Sequence, residues 1–192
     1  MKKYKFTGEI KEIFTLSRLV TLHRICAVSE FGAVKAGDLG GWIEREENLS
    51  HDGLAWVRDN AWVHGDATVR DNAIVCDDAI VRDNVVVRDN AWVHGDAIIC
   101  GNACVRTNAR ICDNAMVSST NHILVIGPIG SRDDFITFYH DKENDITVRI
   151  GCFNGKIDEF LKKVSRTYDN SKHALTYRAA VELAKLQINL NE

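Results

Sequence analysis

Three arginines, Arg70, Arg88 and Arg106, recur at intervals of 18 residues. Stacked in one column they would repel one another, so they call for an anion or for carboxylates between them. The functional reading is a site for a nucleotide, another phosphate-bearing ligand or an acidic partner. The plainer reading is a solvated face neutralised by Asp71, Asp89 and their neighbours. Two histidines, His64 and His94, hold the same place in two identical stretches, AWVHGD. Cys76, His94 and Cys112 also fall 18 residues apart. The ends of that column would stand about 9.6 Å apart at the strand spacing of stacked coils, too far for one tetrahedral zinc or for a disulfide. His64, His94 and His122 offer no better spacing, so neither a metal nor a cofactor is expected. Two glycine loops complete the candidates. Gly127 to Arg132 carries Gly130, Ser131 and Arg132 and suits an anion held by backbone N–H groups. Gly151 to Lys156 leads into a helix N-terminus, which favours anions and lowers a thiol pKa at Cys152. Cys152 and His173 lack an evident third residue to orient them, and a plain structural turn is the alternative for both loops.

The interval of 18 is three times six. From Ala55 to Val117 the chain reads AWVRDN, AWVHGD, ATVRDN, AIVCDD, AIVRDN, VVVRDN, AWVHGD, AIICGN, ACVRTN, ARICDN, then AMV. Neighbouring side chains of a strand point to opposite faces, so the alanine and the aliphatic residue two places on both point inward. Asp-Asn and Gly-Asp supply the backbone freedom that a corner needs. Three such sides close a triangular coil, and coils stack about 4.8 Å apart. A helix would need apolar spacings of three and four. The repeat therefore predicts a mainly β protein, a left-handed parallel β-helix of hexapeptide repeats over residues 55–130. His64 and His94 are five units apart and must lie on different sides of one subunit.

The residue before each inward valine faces outward, yet many are apolar. Trp56, Ile74 and Trp92 form one column; Trp62, Ile80, Ile98 and Met116 form another. Such stripes are rarely left bare. Either the flanking segments cover them or subunits meet there, and Trp56, Trp62, Ile80, Trp92 and Ile98 are the expected interface residues of a homo-oligomer. A flat ligand stacked on the tryptophans is a further alternative.

Residues 1–54 form a lead-in. Tyr4 to Phe31 reads as one or two strands beside or below the first coil, Gly37 to Ile43 as a tight turn, and Ile43 and Leu49 as the start of an irregular coil. Residues 131–192 form a cap. Ile123 and Ile129 keep the six-residue phase, so a last coil is expected to run to about Gly130. Beyond it come strands at Phe135–Tyr139 and Ile146–Ile150, a helix over Ile157–Val164 and a second from about Lys172 to Ile188, a ββαα unit. The net charge of -3 and pI of about 6.2 give no general attraction to nucleic acid. No apolar run of membrane or signal length occurs, which predicts a cytoplasmic protein with its six cysteines reduced.

The repeat resembles the hexapeptide-repeat β-helix families. It departs from their usual motif after the aliphatic residue, where Arg, His and Cys stand. The stretches GDLGGWIEREENLSHDG, IGPIGSRDDFITFY and IGCFNGKIDEFLKKV resemble a family of uncharacterised, polymer-forming-like β-helix proteins of bacteria and prophages. The resemblance implies the fold, a trimer, and a phage setting within a bacterial cytosol. It implies no catalytic residues. In related acyltransferases a histidine deprotonates the acceptor beside coenzyme A, which makes His94 or His64 the base if this chain is such an enzyme. Those enzymes carry a loop protruding from the β-helix, and residues 55–117 have none. The expected function is thus non-catalytic: a module that captures an anionic ligand, such as a nucleotide signal, or a host protein, in the service of anti-defence. The alternatives are a hexapeptide-repeat acyltransferase and a structural protein of a virion or filament.

Overall fold

A computed structural model describes residues 2–15 and 18–190. The hexads form a parallel β-helix of about four turns with three faces. One face stacks β4 (Trp56–Val57), β7 (Ile74–Val75), β10 (Trp92–Val93) and β13 (Arg110–Ile111). The next holds β5 (Trp62–Val63), β8 (Ile80–Val81), β11 (Ile98–Ile99) and β14 (Met116–Val117). The third holds β6 (Thr68–Val69), β9 (Val86–Val87) and β12 (Cys104–Val105). Residues 18 apart pair in register throughout, as Trp62 with Ile80 and Val63 with Val81. The aliphatic residue of every rung is fully buried, and the alanines two places before fill the space beside it.

The corners have one shared backbone state. The fifth residue of each hexad has positive φ: Asp59, Asp71, Asp77, Asp83, Asp89 and Asp113 at 53–64°, and Gly65, Gly95 and Gly101 at 63–69°. Asp and Gly tolerate this left-handed state best among common residues. The aspartates do a second job. Asp77 and Asp83 each accept the N–H of the corner residue one coil on, Gly95 and Gly101, at 2.9 Å. Asparagines at the sixth position form a side-chain ladder, Asn72 to Asn90 at 3.1 Å and Asn90 to Asn108 at 3.3 Å.

The lead-in holds β1 (Tyr4–Phe14), β2 (Leu19–Ala27) and β3 (Leu39–Ile43). β3 pairs antiparallel with β2 and parallel with β5, so one face of the β-helix grows into a seven-stranded sheet. The tight turn expected at Gly37 to Ile43 is mostly strand. Its glycines serve close packing: a Cβ on Gly40 would stand 2.7 Å from the Val57 carbonyl oxygen, and one on Gly41 2.7 Å from that of Ala61. Tyr4 closes the first coil from below, its hydroxyl donating to the Leu49 carbonyl at 2.9 Å. Leu49 is fully buried and bridges in parallel to Val69, which starts the coil where the sequence suggested.

The C-terminal unit contains the two expected strands and two expected helices, plus two further strands. β15 (Ile123–Ile129), β16 (Asp134–His140), β17 (Ile146–Ile150) and β18 (Phe153–Lys156) form an antiparallel sheet covered by α1 (Ile157–Tyr168) and α2 (Lys172–Gln187). Ile123 to Ile129 is thus not a last coil but the first strand of this sheet, paired with β16. The reason is local. Asp-Asn and Gly-Asp corners stop after Asn114, and a 3-10 turn at Thr120–His122 redirects the chain. The sheet seals the open coil: Tyr139 is fully buried on it, its hydroxyl donating to the Cys112 carbonyl at 3.2 Å. Among the described residues no helix is long and apolar enough to cross a membrane.

Candidate ligand-binding pocket

The two glycine loops, far apart in sequence, meet. Gly130–Arg132 forms a 3-10 turn between β15 and β16, and Gly151 and Cys152 form the turn between β17 and β18. Together with the inner face of α1 they enclose a pocket of about 250 Å³. Ser131, Arg132 and Asp134 line one side, Gly151, Cys152 and Phe153 another, and Phe160, Lys163, Tyr168 and Tyr177 the helical wall.

Each part has a local cause. Gly130 has φ +80°, and a Cβ there would lie 1.8 Å from the Tyr177 hydroxyl, so only glycine lets the turn approach α2. The Ser131 hydroxyl sits 2.7 Å from the Tyr168 hydroxyl. Burial, with the neighbouring Tyr168 as a lesser cause, pushes the Tyr177 phenol above its ordinary pKa. Tyr177 therefore stays a neutral hydroxyl. Phe160, Lys163, Val164, Thr167 and Tyr168 recur at helical spacing on α1 and all reach the pocket. The Lys163 ammonium lies 5.3 Å from the Phe153 ring centroid. Among the described residues neither Arg132 nor Lys163 is held in an ion pair. Asp134 is the acidic lining residue, and its Oδ1 accepts the Phe135 N–H at 2.8 Å. Two unpaired cations against one carboxylate leave the pocket positive, and its aromatic wall suits a ring.

The other expected site residues lie elsewhere. Arg70 and Arg88 sit on the β-helix and are met by their own corner carboxylates, Asp71 at 3.4 Å and Asp89 at 3.0 Å. This is the neutralised face that the sequence offered as the plainer reading. Arg106 is followed by Thr107 and so lacks such a neighbour. None of the three lines the pocket. His64 and His94 belong to different faces, on the corners after β5 and β10. His94 stands 3.7 Å from Asp77 and 5.0 Å from the Trp92 ring. Burial depresses both imidazole pKa values and favours the neutral rings. Trp56 is 4% exposed, covered by Tyr4 and Phe31 of its own chain, which leaves little of it for a neighbour. Trp62, Ile80, Trp92 and Ile98 are half-buried, with Lys11 over the Trp62 ring and the Trp92 indole N–H donating to Cys76 Sγ at 3.2 Å.

Cys76 has two carboxylates near it, Asp59 and Asp77, with ligand atoms within 4.8 Å of one another. Burial raises the Cys76 pKa, and Arg58 already stands 3.6 Å from Asp59. A protonated thiol and a paired carboxylate are poor metal ligands. Cys112 is pushed up to about 11 by burial and contacts the Tyr139 hydroxyl. His173 packs edge-on to Tyr168 and does not line the pocket that Cys152 lines.

No family model matches the chain. Over 71 residues the chain is 38% identical to a protein of Escherichia coli strain K12 named "Uncharacterized acetyltransferase YdcK". That stretch covers 34% of this chain and 22% of the relative, so the chain spans about a fifth of the length of the protein it matches.

Proposed function

We propose that the protein is a non-catalytic binding module: a self-associating β-helix that carries at its C-terminal end a pocket for a small anion. A nucleotide or another phosphate-bearing molecule is the ligand class. One observation carries the reading. Ser131–Arg132 and Gly151–Cys152 converge on one cavity with Lys163 and an aromatic wall. Two unpaired cations and ring faces are parts that recognise a phosphate attached to a base. Titration calorimetry with adenosine monophosphate and with inorganic phosphate tests it. Binding by the intact protein is expected, weakened about tenfold or more by Arg132→Ala or Lys163→Ala, the loss of one charge-assisted contact. Absence of binding to both probes, or equal binding by the variants, contradicts it. The phage setting and the anti-defence use rest on the three resembling stretches. Protection of a phage in a challenge assay, lost with Arg132→Ala, is the corresponding expectation in cells.

A second reading is an acyltransferase, and the partial likeness to a protein named as an acetyltransferase favours it. Tight coenzyme A binding, lost on replacing His64 or His94, would select that reading.

A further inference from the structure

A second pocket, of about 330 Å³, lies where the third face of the β-helix meets the C-terminal cap. The last rung of that face, the 3-10 turn Thr120–His122, the start of β15 and Gln187 of α2 line it. Its one charged side chain is Arg106, and no carboxylate lines it. The clefts beside Arg70 and Arg82 differ: the first contains Glu46 and Glu47, the second Asp66 and Asp83. The four other arginines that follow a rung, Arg58, Arg70, Arg82 and Arg88, each stand 2.8–3.6 Å from the aspartate of their own corner. After Arg106 the corner residue is Thr107, and among the described residues Arg106 is held in no ion pair.

Thr107 gives the corner nothing that Asp or Gly would withhold. It takes the same left-handed backbone, φ +64°, which a β-branched residue adopts only at a cost. Its N–H donates to Asp89 at 2.8 Å, as those of Gly95 and Gly101 donate to Asp77 and Asp83. What the threonine changes is charge: the acid that would neutralise Arg106 is missing at the mouth of this pocket. The groups around the guanidinium are donors. Thr120 Oγ1 accepts the Cys104 N–H at 3.1 Å, which leaves the hydroxyl hydrogen to donate. Asn121 Oδ1 accepts from Gln187 at 3.5 Å, which leaves the Asn121 side-chain NH₂ to donate. Half-buried Ile123, Leu124 and Val125 supply an apolar side. A planar guanidinium holds a carboxylate by two parallel hydrogen bonds, and one cation balances one negative charge. A phosphate monoester carries more than one.

We infer that this pocket binds a small aliphatic monocarboxylate, its carboxylate on Arg106 and its tail on Ile123, Leu124 and Val125. The site shares no residue with the pocket between the glycine loops and does not rest on the function proposed for it. Butyrate is the probe, and butyramide, of the same shape without the charge, is its control. The readout is the backbone amide resonances of ¹⁵N-labelled protein. The signals of Cys104, Thr107 and Asn121 are expected to shift saturably with butyrate and to stay in place with butyramide. Thr107→Asp is expected to weaken butyrate binding about tenfold or more, because it supplies the missing acid. It also installs the residue that the other corners use, so the loss is not one of folding. Arg106→Gln is expected to weaken binding to the same degree. Equal shifts with butyramide, a larger response to inorganic phosphate, or shifts centred on Ser131 and Cys152 overturn the inference. Undiminished butyrate binding by either variant overturns it as well.

Discussion

Thr107 is the misfit of the β-helix. It occupies a corner where every comparable hexad places Asp or Gly, and it holds φ +64°. A β-branched residue in this state costs about 1–2 kcal/mol. It also deprives Arg106 of the adjoining carboxylate that Arg70 and Arg88 enjoy. Thr107→Asp is therefore expected to stabilise the protein by about 1 kcal/mol. Urea unfolding measures it; an unchanged or lower midpoint would show that the threonine is not strained. The rule behind this expectation was legible in the sequence, since Asp-Asn and Gly-Asp were read as corners from their conformational freedom alone. The inter-coil bonds from Asp77 and Asp83 were not legible, because a repeat reveals which residues stack but not where a carboxylate turns. The same limit applies to the arginines: spacing places them in a column, and only geometry shows Arg70 and Arg88 bound to their own corners, Asp71 and Asp89.

Among the elements, the junction of the β-helix with the C-terminal sheet hangs on the β16–β17 turn. Asp141 is 1% exposed and accepts from Thr147 at 2.6 Å, from Lys156 at 2.6 Å and from the Glu143 N–H at 3.0 Å. Lys142 beside it donates its backbone N–H to Asn114 and its ammonium to the Asp96 carbonyl, tying the turn to two coils. Burial alone would raise the Asp141 pKa, but the bonds from Lys156 and Thr147 outweigh it and hold the carboxyl below its ordinary value. Burial would likewise lower the Lys156 ammonium, and its bonds to Asp141 and Glu143 hold it above. A depressed carboxyl stabilises the fold fully above its unfolded pKa of about 4 and loses that contribution as pH falls through the folded value. Asp141→Asn is expected to cost about 2 kcal/mol near pH 7. The gap to the native protein should narrow near about pH 3. Equal gaps at both pH values would place the stabilisation elsewhere. From sequence this turn is only the gap between the strands expected at Phe135–Tyr139 and Ile146–Ile150. The strands on either side were legible from their β-branched runs, and the helices from their period. β15 was missed because Ile123 and Ile129 keep the hexad phase while the corner residues between them do not. β3 was missed because its glycines signal a turn when read alone.

At the scale of the whole molecule, a β-helix bears a cap at each end, and the candidate pocket lies in the C-terminal cap. The sequence marked both glycine loops but gave no sign that they meet, because their encounter depends on β16 and β17 running side by side. Lys163 and the aromatic wall were missed for the same reason, although Phe160 and Val164 stand at helical spacing within the helix expected over Ile157–Val164. The half-buried stripe of Trp62, Ile80 and Ile98 fits the association proposed here. Sedimentation equilibrium is expected to report a closed trimer, and a monomer at all concentrations would remove self-association from the proposal. The location of the ligand decides most. A crystal of the protein soaked with adenosine monophosphate is expected to show the phosphate against Ser131, Arg132 and Lys163 with the base toward Phe153 and Phe160. Density for the nucleotide along Arg70, Arg88 and Arg106 instead, or at no site on the protein, would contradict the C-terminal pocket as the place of capture.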